Sequence, residues 1–156
     1  MADKIAHQHA NYPLAAYNFR VTVGNITMGF SEVSGLAQEY ETLSYRDGLS
    51  FITGESVARY VKPTSQITLK KGVFAGVHTA ALYNWMKSWD NRSRLLRVEL
   101  CDGYDKDGNA KPVITWTVRK AIVIKLEAPS FEAGGNGVAI ETLTLWASGI
   151  SVDANQ

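Results

Sequence analysis

The alternation of hydrophobic and polar positions is the clearest signal in this chain, and most of it has the period of β-strands. Phe19, Val21 and Val23 alternate with polar residues, and Gly24-Asn25 then marks a turn before a second alternating run. Period-two runs predict half-buried strands, so residues 16–30 are expected to form a hairpin. Further alternating or strand-rich segments lie at residues 36–46, 66–70, 96–100, 114–126 and 138–147.

One segment changes to the period of a helix. Leu82, Trp85, Met86 and Trp89 fall at positions i, i+3, i+4 and i+7, which places them on one face of a helix of about three turns. A face with two Trp needs a large apolar surface beneath it, and the strands must supply that surface. The sequence therefore predicts a mainly β domain, a barrel or sandwich of about seven strands with one flanking helix. The predicted core includes Phe19, Ile67, Leu69, Leu82, Trp85, Met86, Trp89 and Trp116.

Two of the predicted strands have an irregular pattern. Lys120 falls among the apolar positions of the segment 114–126, where a lysine is rarely tolerated in a core. We expect a bulge or bend near Lys120, at which one long strand passes from one sheet to another. In the segment 138–147 the apolar parity switches after Ile140, which predicts either a bulge or burial on both faces.

Residues 36–63 have a less usual composition. The segment 36–46 is rich in strand formers but polar on both faces, which is typical of an edge strand, a wall facing water, or a surface that another molecule covers. Residues 47–63 form a long predicted connection that carries several large apolar residues. Either another chain covers this segment or it folds back on its own domain.

Length, composition and charge predict one ordinary globular domain without the basic field of a nucleic-acid binder. The 156 residues predict a single domain, 1–156, with a loose tail at residues 1–13, and the net charge of +1 provides no basic field. Cys101 is the only cysteine, and the start of the chain lacks the apolar run of a signal peptide, which predicts synthesis in the cytoplasm. The longest apolar run has four residues, so the monomer is not expected to insert stably into a membrane.

The candidate chemical motifs fail on spacing. Residues 105–109 begin like a calcium loop but lack the glycine and glutamate that an EF-hand requires, so they predict a hairpin turn. Residues 134–137 are rich in glycine but precede a strand, whereas a phosphate loop precedes a helix. His7, His9 and His78 have no metal-ligand spacing. We therefore expect no catalytic residue, no metal and no cofactor.

Several stretches, in order, resemble the phage tail tube protein family of contractile tails and contractile injection systems. These stretches are residues 17–21 and 29–36, 45–48, 67–73 with 82–85, and 116–125 with 138–145. Each motif alone is weak, but together they extend over residues 12–150. The resemblance implies a β-barrel with a flanking helix that forms hexameric rings, and these rings stack into a hollow tube inside a sheath.

This resemblance implies a role for the two unusual segments and a set of partners. The predicted inter-subunit contact residues are Arg46, Asp47, Gly48, Leu49, Phe51, Ile52, Val57, Arg59, Tyr60 and Val61. The candidates for facing the lumen are Gln38, Glu39, Glu41 and Ser44. Besides further copies of the chain, the implied partners are a sheath protein, a baseplate or tube initiator, a tail terminator, and a protein or DNA cargo in the lumen. The implied location is a phage tail or a tail-like particle that is released from the cell.

Two alternatives stay open. Within the same architecture, the chain could be a tube initiator of a baseplate or a hexameric tube protein of type VI secretion. From a different class, it could be a small β-barrel ligand-binding module, which would need a concave site with convergent polar groups.

Overall fold

A single antiparallel sheet of seven strands forms most of the structure. The computed structural model describes residues 13–62, 64–73, 77–87 and 93–155. The strands are β1 (Phe19–Val23), β2 (Ile26–Met28), β3 (Glu32–Ser34), β4 (Tyr40–Tyr45), β5 (Ser56–Val61), β6 (Thr64–Gly72), β7 (Arg94–Tyr104), β8 (Ala110–Glu127) and β9 (Ile140–Ala154). The helices are α1 (Ser50–Thr53) and α2 (Val77–Lys87). The order in the sheet is β2-β1-β7-β8-β9-β6-β3, whereas β4 and β5 form a separate two-stranded sheet.

The core lies on one face of this sheet, beneath helix α2. Its buried members come from strands at both ends of the sheet order, such as Val21 of β1 and Leu69 of β6. A flat sheet could not bring such distant strands into one cluster, so the sheet must curve around its own apolar face as in a sandwich. The mainly β fold with a flanking helix that the sequence predicted is confirmed.

The predicted hairpin at residues 16–30 is present, but its strands are shorter than expected. Val23 pairs with Ile26 across the two-residue turn Gly24-Asn25, and Gly24 has a φ of 60°. A two-residue turn of this kind requires residues that tolerate positive φ, which is the reason for the Gly-Asn pair. Tyr17 lies outside β1 and is largely exposed.

Most of the predicted core residues are buried. Ile67, Leu69, Leu82 and Trp85 are at most 3% exposed, and Phe19 and Trp116 are partly buried against the same cluster. Trp89 lies outside the described residues.

The prediction for Met86 is wrong, because its side chain is 49% exposed. The buried face of α2 is centred between Leu82, Trp85 and the partly buried Ala81. Each residue advances an α-helix by about 100°, so Met86 is turned well away from Trp85 and leaves the contact at the edge of this face. Met86 lies one turn after Leu82, as the spacing predicted. The spacing alone does not show where the buried face of the helix is centred.

The bulge predicted near Lys120 is present. Leu96 pairs with Val118 and Arg94 with Ala121, so three steps along β8 match two steps along β7. The extra residue leaves Lys120 exposed between the buried Val118 and Ala121. The predicted passage between two sheets is wrong, because β8 stays within the one sheet along its whole length.

The apparent parity switch in β9 is not caused by a bulge in its pairing with the neighbouring strand β6. Pairing between β6 and β9 runs from Ile140 to Ser148 without a shift, and the inward positions are Glu141, Leu143, Leu145 and Ala147. Glu141 is 4% exposed and lies opposite Lys71, which is 3% exposed. A charged residue therefore takes an inward position that a sequence pattern assigns to an apolar one.

The Glu141 carboxylate is a polar anchor for helix α2. The Tyr83 hydroxyl donates a hydrogen bond of 2.8 Å to Glu141 Oε1. This hydrogen bond, together with burial and the negative charge, raises the pKa of Tyr83 above its usual value near 10. The interaction joins the middle of α2 to the start of β9.

We expect Tyr83→Phe to lower the free energy of unfolding by about 1–3 kcal/mol at neutral pH, because it leaves a buried carboxylate oxygen without its donor. Because the folded-state pKa of Tyr83 is raised above the usual value near 10, the stabilisation is complete below that usual value and is lost as pH rises through the higher folded-state pKa. The difference between parent and variant should therefore shrink in alkaline solution. Urea unfolding of both proteins at neutral pH and above pH 10 measures it; a difference independent of pH would contradict the assignment.

Gly35 is the site of a close approach between two backbone segments. It has a φ of 85°, and a Cβ placed there would lie 2.3 Å from the carbonyl oxygen of Gln66. Both the left-handed conformation and the lack of space require glycine at the turn that follows β3.

Gly35→Ala should lower the free energy of unfolding by about 2–4 kcal/mol, since conformational strain and a backbone clash add together. Gly24→Ala is the matched control, because Gly24 also has positive φ but no atom lies within 4 Å of its added Cβ. The control should lose only about 1 kcal/mol. Chemical unfolding of both variants measures the difference. If Gly35→Ala and Gly24→Ala lower the free energy of unfolding equally, the clash at Gly35 is relieved without cost.

Candidate assembly surface

The candidate functional surface is residues 40–61, which we call the ribbon. It consists of β4, the short helix α1 and β5. Six residues of each strand pair in register, from Tyr40 opposite Val61 to Tyr45 opposite Ser56. The sequence predicted one long connection from Asp47 to Pro63, and this was wrong for Ser56–Val61, which form β5. Large residues occur at both parities of β5, so the segment shows no two-residue period.

The tip of the ribbon is shaped by local hydrogen bonds. Asp47 Oδ1 accepts a bond of 2.8 Å from the backbone N–H of Leu49, and the backbone N–H of Asp47 donates to Ser50 Oγ at 2.8 Å. These bonds close the turn that leads into α1, and Gly54, with a φ of 82°, ends it. The tip therefore needs no contact with the rest of the chain to form its turn.

Cross-strand side-chain pairs connect the two strands of the ribbon. Arg46 lies 3.1 Å from Glu55, and the Arg59 guanidinium stacks 4.5 Å from the centre of the Tyr40 ring. The Tyr60 hydroxyl donates to the Glu41 carboxylate, and this hydrogen bond raises the pKa of Tyr60 above its usual range. Exposed pairs of this kind are worth little energy, but they hold the two strands in one register.

The large apolar residues of the ribbon are exposed. No residue of β4 or β5 is buried. The exposed fractions at the tip reach 84% for Phe51 and 70% for Ile52. The other large apolar residues exposed on the ribbon are Tyr40, Leu43, Tyr45, Leu49, Val57, Tyr60 and Val61. Exposed apolar residues in this number on one projecting element are typical of a surface that another protein covers.

The structure brings all ten predicted contact residues together on this ribbon. Arg46, Asp47, Gly48, Leu49, Phe51, Ile52, Val57, Arg59, Tyr60 and Val61 are all exposed. Their contact with another subunit stays a prediction. Sequence reasoning missed Tyr40, Leu43 and Tyr45 of β4, because the polar residues between them made this strand look polar on both faces.

The four candidates for facing the lumen lie in or next to β4. Gln38, Glu39, Glu41 and Ser44 are all exposed, and Lys62 Nζ lies 3.3 Å from Glu39 Oε2. Glu41 and Ser44 point to opposite faces of the ribbon, because successive side chains of a strand alternate. If one face of the ribbon lines the lumen, only one of these two residues lies on that face. That the four candidates face the lumen stays a prediction.

Clefts elsewhere in the described structure are small and open. One cleft of about 450 Å³ is lined mainly by apolar residues, among them Phe19, Leu36 and Trp116. A second, of about 240 Å³, contains Cys101, and burial raises the pKa of its thiol. Among the residues described, no group of three or more His, Cys, Asp or Glu could hold a metal ion. None of the described helices has the length and apolar character needed to cross a membrane.

Residues 15–151 match the sequence model of the T4-like virus tail tube protein gp19 family. The fold is similar to a chain of the sheath-tube complex of the PVC extracellular contractile injection system in its extended state, with 28% identity over 96% of this chain and 97% of that one and a TM-score of 0.75. It is also similar to a chain of the anti-feeding prophage tube-terminating cap, with 30% identity over 93% of both chains and a TM-score of 0.73.

A third similar chain comes from the PVC sheath/tube terminator, with 31% identity over 92% of this chain and 99% of that one and a TM-score of 0.72. The comparison with curated protein sequences gives no match. The family match extends over most of the domain, including the ribbon. The chain therefore belongs to the T4-like virus tail tube protein gp19 family, a family of structural tube proteins.

Proposed function

We propose that this chain is the repeating subunit of the hollow inner tube of a contractile tail or injection particle. The observation that carries the proposal is the exposed apolar ribbon of a chain that belongs to the tail tube family. In the proposed assembly, six copies form a ring, rings stack into a conduit, and a surrounding sheath drives the conduit through a target membrane. The predicted contact residues of the ribbon join one copy to the next.

The ribbon provides a physical reason for assembly. Burying a side chain such as Phe51 contributes about 1.5–3 kcal/mol, and the ribbon carries nine large exposed apolar residues. A contact between two different surfaces of one chain closes into a ring or continues as a stack, depending on the rotation between copies. Stacked rings bury apolar surface that a free monomer leaves in water.

The implied partners follow from the solved complexes that the chain resembles. The similar chains come from particles that contain a sheath, a tube terminator or a cap. We infer that this chain contacts a sheath protein along the tube, a baseplate or initiator at one end and a terminator at the other. The lumen would hold a protein or DNA cargo. This role requires no catalytic residue, metal or cofactor, and the protein would be made in the cytoplasm before it joins the particle.

A second candidate is a ring protein at the end of a tube. It is favoured by similarity to chains from a terminating cap and a terminator, at 30% and 31% identity. A tube subunit stacks indefinitely, whereas an end protein stops at one ring.

Negative-stain electron microscopy of the purified protein over a concentration series, with mass photometry alongside, tests both candidates. The expected result is six-fold rings that stack into tubes as concentration rises. Single rings at every concentration would favour the end protein. A monomer that forms neither rings nor tubes, even with baseplate components added, would overturn the proposal.

A further inference from the structure

The connection between β8 and β9, residues 128–139, contains the only Asn-Gly step in the sequence. This step is Asn136-Gly137, and it follows the two glycines at positions 134 and 135. Residues 131–138 are all exposed and belong to neither a helix nor a strand. The step therefore lies in solvent, outside the ribbon and outside the core.

The main chain at this step is held neither by hydrogen bonds nor by packing. A turn precedes it, in which the backbone N–H of Gly135 donates to the carbonyl oxygen of Glu132 at 3.2 Å. Among the described residues, neither the Gly137 N–H nor the Asn136 side chain has a hydrogen-bond partner. A Cβ added to Gly137 would have no atom within 4 Å. Glycine widens this freedom further, because it can adopt backbone conformations that other residues avoid.

These features favour a reaction between an asparagine and the residue that follows it. The backbone nitrogen of the following residue can attack the side-chain carbonyl carbon, Cγ, and close a five-membered imide. The attack requires a backbone N–H without a hydrogen-bond partner and a main chain that can turn towards Cγ. A side chain on the following residue hinders this approach, whereas a glycine leaves it open. Asparagine is accordingly among the thermolabile residues of proteins.

We infer that Asn136 is a site of spontaneous deamidation in the folded protein. A bond forms between Gly137 N and Asn136 Cγ, the Cγ–Nδ2 bond breaks, and the proton of the Gly137 amide leaves with the amide group as ammonia. Water then opens the imide. Cleavage of the Cγ–N bond gives aspartate, and cleavage at the main-chain carbonyl carbon gives isoaspartate. The reaction consumes only water, and the inference does not depend on the proposed function.

The modification changes the charge of the loop but not the fold. A carboxylate replaces a neutral amide, which lowers the formal net charge of +1 by one unit. Isoaspartate also adds one carbon atom to the main chain between the two strands. Pairing of β8 with β9 begins only where Glu127 lies opposite Thr142, so the exposed connection can accommodate this atom. Circular dichroism of the deamidated protein should match that of the fresh protein.

Two other asparagines in turns serve as internal controls. Asn25 precedes Ile26, and Asn109 precedes Ala110. Ile26 and Ala110 both have a Cβ, and each is paired across its hairpin. Strand pairing holds the following residue in both turns, so we expect slow deamidation at these two positions.

Incubation of the purified full-length chain in mildly alkaline buffer tests the inference. Pepsin digestion at acidic pH and mass spectrometry then locate each exchange of ammonia for water. Asn136 should react more than about tenfold faster than Asn25 or Asn109. Its rate in the folded chain should also be similar to its rate in the same chain unfolded in guanidinium chloride. A rate no higher than that of Asn25, or strong protection by folding, would overturn the inference.

Two variants separate the contributions of the two residues. Gly137→Ala keeps the asparagine and should slow its reaction about tenfold, because the added Cβ hinders the attack. Asn136→Gln should abolish the fast reaction, because its longer side chain would have to close a six-membered ring. Both variants should fold, as shown by circular dichroism, since the site makes no packing contact. A fast reaction that persists in Asn136→Gln, or a rate unchanged in Gly137→Ala, would contradict the inference.

Discussion

Trp85→Ala is expected to lower the free energy of unfolding by about 3–5 kcal/mol, the usual cost of truncating a buried aromatic side chain to alanine. Trp85 is 3% exposed on the inner face of α2 and belongs to the main core cluster. The Arg94 guanidinium lies 5.3 Å from the centre of its ring, so the variant also loses a cation–π contact. A domain of this size has a total stability of only about 5–15 kcal/mol, and the loss should leave much of it unfolded at moderate urea concentrations. Urea unfolding followed by circular dichroism measures the effect.

Met86→Ala is the matched control for this prediction. Met86 is the next residue on the same helix, and its side chain is 49% exposed. Alanine favours the helix, so the control should change the stability by less than about 1 kcal/mol. A loss well under 1 kcal/mol for Trp85→Ala as well would mean that α2 is not packed on the sheet as described.

The double substitution Phe51→Ser and Tyr60→Ser should block assembly while leaving the monomer folded. Phe51 is the most exposed apolar residue of the ribbon, and Tyr60 is half exposed on β5. Neither residue belongs to the core cluster, so their loss costs the monomer little. If another copy covers both in the tube, the assembly loses about 1.5–3 kcal/mol for each at every contact. Because a tube repeats this contact in every copy, the expected result is circular dichroism like that of the parent and no tubes in electron micrographs.

Tyr17→Ser with Phe131→Ser provides a matched control for the double substitution. These residues are also a Tyr and a Phe, exposed at 80% and 85%, and they lie outside the ribbon. We expect tubes from this control. If both double variants fail to assemble, the loss reflects exposed aromatic residues in general; if both assemble, the ribbon is not a contact.

The local pattern of apolar and polar residues was sufficient to predict the elements that have one buried face. The strand at Phe19–Val23 and the helix containing Leu82 and Trp85 each have one buried face, so their period is visible without knowledge of the fold. Lys120 indicated the bulge in β8 for the same reason, since a charge in an apolar row interrupts a regular period. For residues 47–63 the composition left two interpretations open, a surface that another chain covers or a segment that folds back on its own domain, and only the structure shows that the large apolar residues there are exposed.

The sequence by itself determined that the domain is mainly β and which face of most strands and of the helix is buried. It also showed that residues 47–63 carry an unusual number of large apolar side chains. Only the tertiary structure decided that Ser56–Val61 form a strand, that Glu141 points inward and that Met86 lies outside the contact. Periodicity reports how a segment relates to itself, whereas pairing and burial depend on what lies opposite in space. For Glu141 the opposite residues are Lys71 and Tyr83, distant in sequence, and no local pattern contains them. In the ribbon, no residue of either strand is buried, so neither strand has the period of a half-buried one.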